Sequence, residues 1–444
     1  MRVFRLRLAS CPFYATLQRR FLFLSFVGLT SVFFCASAPP PELLLLGTPE
    51  DVGVSSGRLA RIDAMLRRAI ADDEIPGAVA LVARKGRIIY HQALGSAEPE
   101  RGRALQVDDI FRIASMTKAI TSTAVMMLWE EGHFKLDDPV SRWIPEFEST
   151  GVFASLDNDR MAWTTITVNT PITIRHLLTH TSGIGYGMID DDPRFRKMYK
   201  HLGIVDAWTT EPITIEENVR KLATLPLHFH PGEKYSYSEG LDVLGYYIEL
   251  ISGLSFAEFL EKRLFKPLGM EDTHFYLSQE KAERLVPVLR KAASGRWERY
   301  QASHYDVDFP VKGAKTFFSG GGGLCSTAKD YAAFLQMYLN RGQYGGKQIL
   351  SPTTVKTVME DQVGNRWNNR ERHYGLAFGV VNEQGKATGG MGAQGTFDWG
   401  GYFNTQFFAD PKEQLIGVLL KQTRGGGDST GWRFRQMVAA AIAD

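Results

Sequence analysis

Residues 113–120 read IASMTKAI, a serine three positions ahead of a lysine where the pattern turns almost wholly apolar. Ser278 with Lys281 and Ser326 with Lys329 repeat that spacing, so context has to choose among three candidates. Ser326 opens an amphipathic helix through Tyr331, Phe334, Leu335, Tyr338 and Leu339, and a capping serine followed by a surface lysine explains it. Ser278 lies among charged residues and reads as a solvated helix start. Ser115 differs. Ala119, Ile120 and the run Ala124 to Trp129 cover most of a helical circumference, which predicts a helix buried on all sides. Lys118 falls about one turn from Ser115 on the same face. Burial penalises an ammonium charge and so suits a lysine to accept a proton, while the helix N-terminus favours negative charge developing at the serine. These residues alone leave two readings level: a nucleophile with its base, or a structural cap.

The chain has 444 residues, 44% hydrophobic and 23% charged, enough to bury a sizeable core. Its 51 basic and 49 acidic side chains leave a net charge of +2, with no basic tract in the body, which argues against a nucleic-acid partner. The N-terminus stands apart. No acidic residue precedes Glu42, and Arg2, Arg5, Arg7, Arg19 and Arg20 lead into an apolar run from Phe21 to Phe34, followed by Ala36, Ser37 and Ala38. This pattern predicts a secretory signal over residues 1–38, hence a secreted or periplasmic protein with no stable membrane insertion after cleavage. A twin-arginine signal, an uncleaved membrane tether and an organelle transit peptide are the alternatives. Cleavage would remove Cys11 and Cys35, leaving Cys325 as a small buried apolar residue with no disulfide partner.

A single domain is expected over 48–444. Leu59, Ile62, Met65, Leu66, Ala69 and Ile70 mark a first helix capped by Ser55 or Ser56, preceded by an extended GTPEDV tail. GAVALVARKGRIIYHQALG (77–95) reads as a β-hairpin. TFDWGGYFNTQFFADPKEQLIGVLLKQT (396–423) reads as strands broken at Gly400-Gly401 and at Asp410-Pro411, with a helix from about Trp432 to Ala443. Residues 115–340 are mostly helical patterns. The expected fold is therefore mixed α/β (α+β): an antiparallel sheet built from both chain ends and flanked by helices, with an inserted, mostly helical lobe.

Other motifs carry less. Gly53-Val54-Ser55-Ser56-Gly57 matches a nucleophile elbow but lacks the strand such an elbow needs before its serine. His176 and His180 have helical metal-ligand spacing, yet Leu177 stands where a glutamate is required, and His228 and His230 have no third ligand nearby; no metal is expected. The run Gly320–Gly323 lacks the Lys-Ser/Thr ending of a phosphate loop and reads as a flexible turn.

Five ordered blocks, namely Ser115-x-x-Lys118, LLTHTSGI (177–184), HPGEKYSYSEGLDVLGYYIE (230–249), FLEKRLFKPLGMEDTHF (259–275) and GGGGLCSTAKDYAAFLQMYLNRG (320–342), resemble the serine beta-lactamase-related superfamily. That superfamily includes class C beta-lactamases, DD-peptidases and family VIII carboxylesterases. The resemblance implies that Ser115 is acylated and that Lys118 activates it, without metal or cofactor. It implies that Tyr237 shuttles the proton, tuned by Lys118, with Glu239 standing where Asn is common and where a substrate amide would be met. It places the third motif at Trp399-Gly400-Gly401, with the backbone amides of Ser115 and Tyr402 as the oxyanion hole. Trp399 and Gly400 offer neither the cation nor the hydroxyl that usually holds a substrate carboxylate, and family VIII esterases are similar in carrying Trp-Gly-Gly here. The expected activity is hydrolysis of short-chain or small esters through a Ser115 acyl-enzyme. A beta-lactamase, D-Ala-D-Ala carboxypeptidase or D-aminopeptidase is the alternative within that chemistry, and a non-catalytic acyl-binding sensor or scaffold is the alternative outside it.

Overall fold

The structure is a computed structural model that describes residues 43–302, 305–425 and 427–444. The expected signal segment 1–38, with Cys11 and Cys35, lies outside the described residues.

The hairpin forms as the pattern predicts. β1 (Gly77–Arg84) and β2 (Arg87–Glu98) are joined by Lys85 and Gly86, whose φ angles of 47° and 74° match the turn that suits strand twist. β3 (Arg372–Tyr374), β4 (Gly379–Val381), β5 (Phe397–Gly401), β6 (Thr405–Asp410) and β7 (Leu415–Leu420) complete the sheet, in the order β2-β1-β7-β6-β5-β4-β3. All these pairs are antiparallel, and Leu45–Leu46, ahead of the expected domain start, adds a short parallel edge beside β2. The two chain ends meet where β7 pairs with β1.

Period-two alternation explains the layers. Val79, Leu81 and Ala83 of β1, with Ile416, Val418 and Leu420 of β7, face the large core shared with α2 (Thr117–Glu130), α3 (Gly240–Ser252) and α4 (Ala328–Leu339). Ala78, Ala80 and Val82 face the opposite way, onto α1 (Ser56–Ala71) and the C-terminal α5 (Thr430–Ala440) through Leu59, Ile62, Leu66, Phe434 and Val438. Covered on both faces, β1 and β7 are buried along their whole length. The helical lobe is inserted between β2 and β3. Among the described residues no single helix is long and apolar enough to cross a membrane.

Four local expectations need correction. GTPEDV is not an extended tail, because Glu50–Val52 close a 3-10 turn. Ser326 does not cap α4; Thr327 does, its hydroxyl accepting from the Asp330 amide, and α4 buries nearly every residue rather than presenting a polar face. Gly400 and Gly401 do not break the strand. They lie within β5, paired with Gln406 and Thr405, and the reversal falls at 402–404 with Asn404 at a φ of 67°. The run Gly320–Gly323 is buried throughout and carries structural hydrogen bonds rather than forming a flexible turn.

Candidate active site

α2 starts from a 3-10 turn, Ala114–Met116, in which Ala114 takes a left-handed φ of 47°. Ser115 is half-buried in that turn, and every residue from Thr117 to Leu128 is buried, as the apolar circumference predicts. Lys118 is 1% exposed, so its ammonium needs partners from the protein. It donates to the Gly321 carbonyl at 2.6 Å and to the Tyr186 hydroxyl at 2.9 Å, and reaches Ser115 Oγ at 3.5 Å. It also lies 4.6 Å from the centre of the Tyr237 ring, in cation–π range.

Two tyrosines therefore meet Lys118, where the sequence pointed to one. Tyr237 meets Lys118 with its ring face, while its own hydroxyl is buried and has no hydrogen-bond partner among the described residues. The hydroxyl bonded to Lys118 belongs to Tyr186, stacked on Tyr237 with ring centres 5.3 Å apart. Burial first, then the neighbouring Tyr237 and Asp242, pushes the Tyr186 phenol well above its ordinary value, so it keeps its proton. Tyr186 escaped notice because it follows the THTSGI block by two positions in an otherwise glycine-rich stretch. His180 of that block is fully buried at a φ of 56°, its ring 4.6 Å from that of Tyr237. Its Nδ1 accepts from the Ser238 amide at 3.2 Å, and burial, then Lys118, lowers its basicity well below ordinary histidine, so it is neutral and seats Tyr237.

Asp242, in the first turn of α3, accepts from the Gly321 amide at 2.7 Å and from Ser319 Oγ at 2.8 Å. Gly321 therefore donates to Asp242 on one side and accepts from Lys118 on the other. Thr121 Oγ1 donates to the Gly320 carbonyl at 2.7 Å and Trp208 Nε1 to the Gly322 carbonyl at 2.9 Å, pinning the same loop. Adding a Cβ at Gly320 would bring it 2.2 Å from the Leu241 carbonyl, which is why glycine is required there.

The end of β5 lies against the Ser115 turn. A Cβ on Gly401 would come within 2.4 Å of the Ile113 carbonyl, so glycine lets strand and turn approach this closely. Trp399 is half-exposed and joins Tyr374, Trp367 and Tyr237 at ring separations of 5.4, 6.3 and 6.0 Å, forming an aromatic wall beside the serine. The Tyr402 ring carries the Arg424 guanidinium 3.9 Å above it. Glu239 does not face substrate. It is 1% exposed, neither carboxyl oxygen has a hydrogen-bond partner among the described residues, and burial together with Asp206 and Asp242 raises its carboxyl well above the usual range, against the pull of Lys118.

The remaining candidates take structural places. Ser55 and Ser278 cap helices, accepting from the Arg58 and Lys281 amides at 3.3 Å each. His176 closes a capping box with Thr173, and His228 pairs with Asp190 at 2.9 Å. Among the described residues no three His, Cys, Asp or Glu side chains converge as metal ligands. Cys325 is buried, and burial pushes its thiol up to about 12.

The beta-lactamase family matches residues 62–441 of the chain. Esterase EstB of Burkholderia gladioli is 33% identical over 386 residues, spanning 83% of this chain and 92% of its own. Lovastatin esterase of Penicillium rubens is 28% identical across 80% of this chain and 91% of its own. Among solved structures, EstCE1, a hydrolase with promiscuous acyltransferase activity, superposes with a TM-score of 0.75 at 27% identity, covering 87% of this chain and 98% of that one. With a Ser-x-x-Lys pair whose lysine is buried, in a turn against the end of β5, and these relatives along most of its length, the chain is a serine hydrolase and belongs to the beta-lactamase family.

Proposed function

We propose that the protein is a carboxylesterase for short-chain esters that works through an acyl-enzyme on Ser115. Ser115 Oγ adds to the ester carbonyl and its proton passes into the Lys118–Tyr186–Tyr237 group. The Ser115 and Tyr402 amides receive the oxyanion. The C–O bond to the alcohol then breaks as that proton is returned to the leaving oxygen, and water hydrolyses the acyl-serine by the reverse path. In this reading Tyr186 holds Lys118 in place, and the unpartnered Tyr237 hydroxyl is the one free to serve the leaving group.

The observation that carries ester over lactam is the wall at β5. Trp399 and Gly400 offer an apolar surface and no charge, and the named relatives include an esterase at 33% identity. A charge-assisted hydrogen bond to a substrate carboxylate contributes about 1.5–3 kcal/mol, so its absence costs a lactam about 10- to 150-fold. One observation favours the amide-hydrolase alternative: Arg424, over the Tyr402 ring, is a cation within the same corner. Parallel rates on p-nitrophenyl butyrate, nitrocefin and a D-Ala-D-Ala peptide decide between them. Esters should be preferred, and Ser115→Ala should abolish both turnover and fluorophosphonate labelling in a folded protein. Faster turnover of nitrocefin or the peptide than of any ester would replace the esterase reading, and labelling that persists in Ser115→Ala would remove Ser115 as nucleophile.

Export is the second part of the proposal, supported by the arginine-led apolar run and the small residues 36–38. Protein recovered from an exporting host should begin between Ala36 and Pro41, and an intact Met1 would sink it.

A further inference from the structure

A cavity of about 420 Å³ lies on the helical lobe, away from Ser115. Its floor is aromatic: Phe265, Phe275 and Phe318, with Phe275 and Phe318 ring centres 5.4 Å apart. Its rim is cationic. Lys262, Lys266 and Lys315 stand over it against Glu258 and Glu261, three positive charges to two negative. The lysine–glutamate contacts are exposed and loose, 3.9 Å for Lys262–Glu258 and 3.6 Å for Lys266–Glu261. Such pairs contribute little and exchange readily for another anion. Burial, then Lys281, lowers the basicity of His274 on the remaining wall, which leaves that wall uncharged at neutral pH.

Two backbone irregularities border this cavity. Glu261–Phe265 is a π-helical turn between the helices Phe256–Leu260 and Lys266–Leu268, an interruption of the kind that gathers at functional sites. Lys315 holds a left-handed φ of 61°, a conformation unfavourable for a non-glycine residue. An apolar cavity of this size with a net positive rim suits a ligand with a hydrocarbon body and one carboxylate.

We infer that this cavity is a binding site for a free aliphatic carboxylate, its chain against Phe265, Phe275 and Phe318 and its head among the three lysines, and that it communicates with Lys118. The connection is covalent and short. Phe318 leads directly into Ser319–Gly323, the loop whose Gly321 carbonyl holds Lys118 at 2.6 Å. Phe275 is seated on the same loop, since a Cβ on Gly323 would meet its ring at 2.9 Å. A ligand that moves either ring therefore moves the Lys118 anchor, and loading the cavity should lower kcat.

Calorimetric titration with decanoate tests the site without relying on ester turnover, so its failure is separate from that of the esterase reading. Decanoate should bind with one-to-one stoichiometry whether or not Ser115 carries a fluorophosphonate group. Affinity should fall at least tenfold in Lys262→Glu/Lys315→Glu, whose changes are on the surface, and in Ala257→Phe, which fills the cavity. Decyltrimethylammonium should not bind. Unchanged decanoate affinity in both variants, or equal binding of the ammonium, would overturn the site. Phosphatidylglycerol vesicles that capture the wild type but not the charge variant, with no binding of free decanoate, would replace it with a membrane surface. At saturating p-nitrophenyl butyrate, decanoate should lower kcat at least twofold in the wild type and not in Ala257→Phe. A kcat indifferent to bound decanoate would refute the link to Lys118.

Discussion

Replacing Tyr186 by phenylalanine removes one oxygen from a buried site. That oxygen accepts from the Lys118 ammonium at 2.9 Å, and Lys118 is 1% exposed, so no solvent molecule takes its place. Hydrogen bonds to charged groups contribute about 1.5–3 kcal/mol. If the bond is needed to hold Lys118 toward Ser115, kcat/KM for acylation should fall about 10- to 150-fold, and the folded state should lose a comparable free energy. Tyr237→Phe provides the contrast. Its hydroxyl has no partner among the described residues, so removing it should leave stability unchanged or slightly raised, while acylation still slows about 100-fold because a proton carrier is gone. Stopped-flow acylation by p-nitrophenyl butyrate and urea unfolding of both variants measure the two quantities separately. Wild-type acylation in Tyr186→Phe, or equal destabilisation by the two substitutions, would refute the division of roles between these tyrosines.

Two further substitutions test buried charge. Glu239 has its carboxyl raised well above the usual range by burial and by Asp206 and Asp242, so the folded state binds its proton more tightly than the unfolded chain. Wild-type stability should therefore fall as pH rises above the unfolded carboxyl pKa of about 4.3, and Glu239→Gln should gain on the wild type across that window. Thermal melts at pH 5 and pH 8 check this, and a pH-independent difference would contradict it. Asp428 and Lys421, 5% and 1% exposed, pair at 2.7 and 2.9 Å, and Asn404 from the turn after Tyr402 also donates to Asp428 at 2.7 Å. Asp428→Ala strands a buried ammonium and should cost about 3–5 kcal/mol in urea unfolding at pH 7. Burial pulls the Asp428 carboxyl upward, but Lys421, Thr430 and Asn404 outweigh it and hold it below the ordinary value. Its contribution is thus present above the unfolded pKa of about 3.9 and lost as pH falls through the folded one, so the gap between wild type and variant should close in acid.

What the sequence determined by itself is local. The three-residue step from Ser115 to Lys118, the apolar circumference of α2, the alternation in β1 and the Lys85-Gly86 turn depend on helix and strand periods and on nearby backbone preference, and each is found where those rules place it. The partners of Lys118 were not legible in that way, since Tyr186 and Gly321 come from 68 and 203 residues further along. A tyrosine in a glycine-rich stretch and a run of four glycines carry no period that says what they will face. Gly400 and Gly401 show the same limit from the other side. Local chemistry reads two glycines as a turn, but their pairing with β6 and the approach of Gly401 to Ile113 make them strand, because the Ser115 turn leaves no room there for a side chain. Glu239 matched a motif position, and only packing could decide that it is enclosed among acidic neighbours rather than presented to a substrate. Period-bound features are set by neighbours in the chain, whereas the Lys118 site is assembled by contacts between segments of the lobe that lie far apart in sequence.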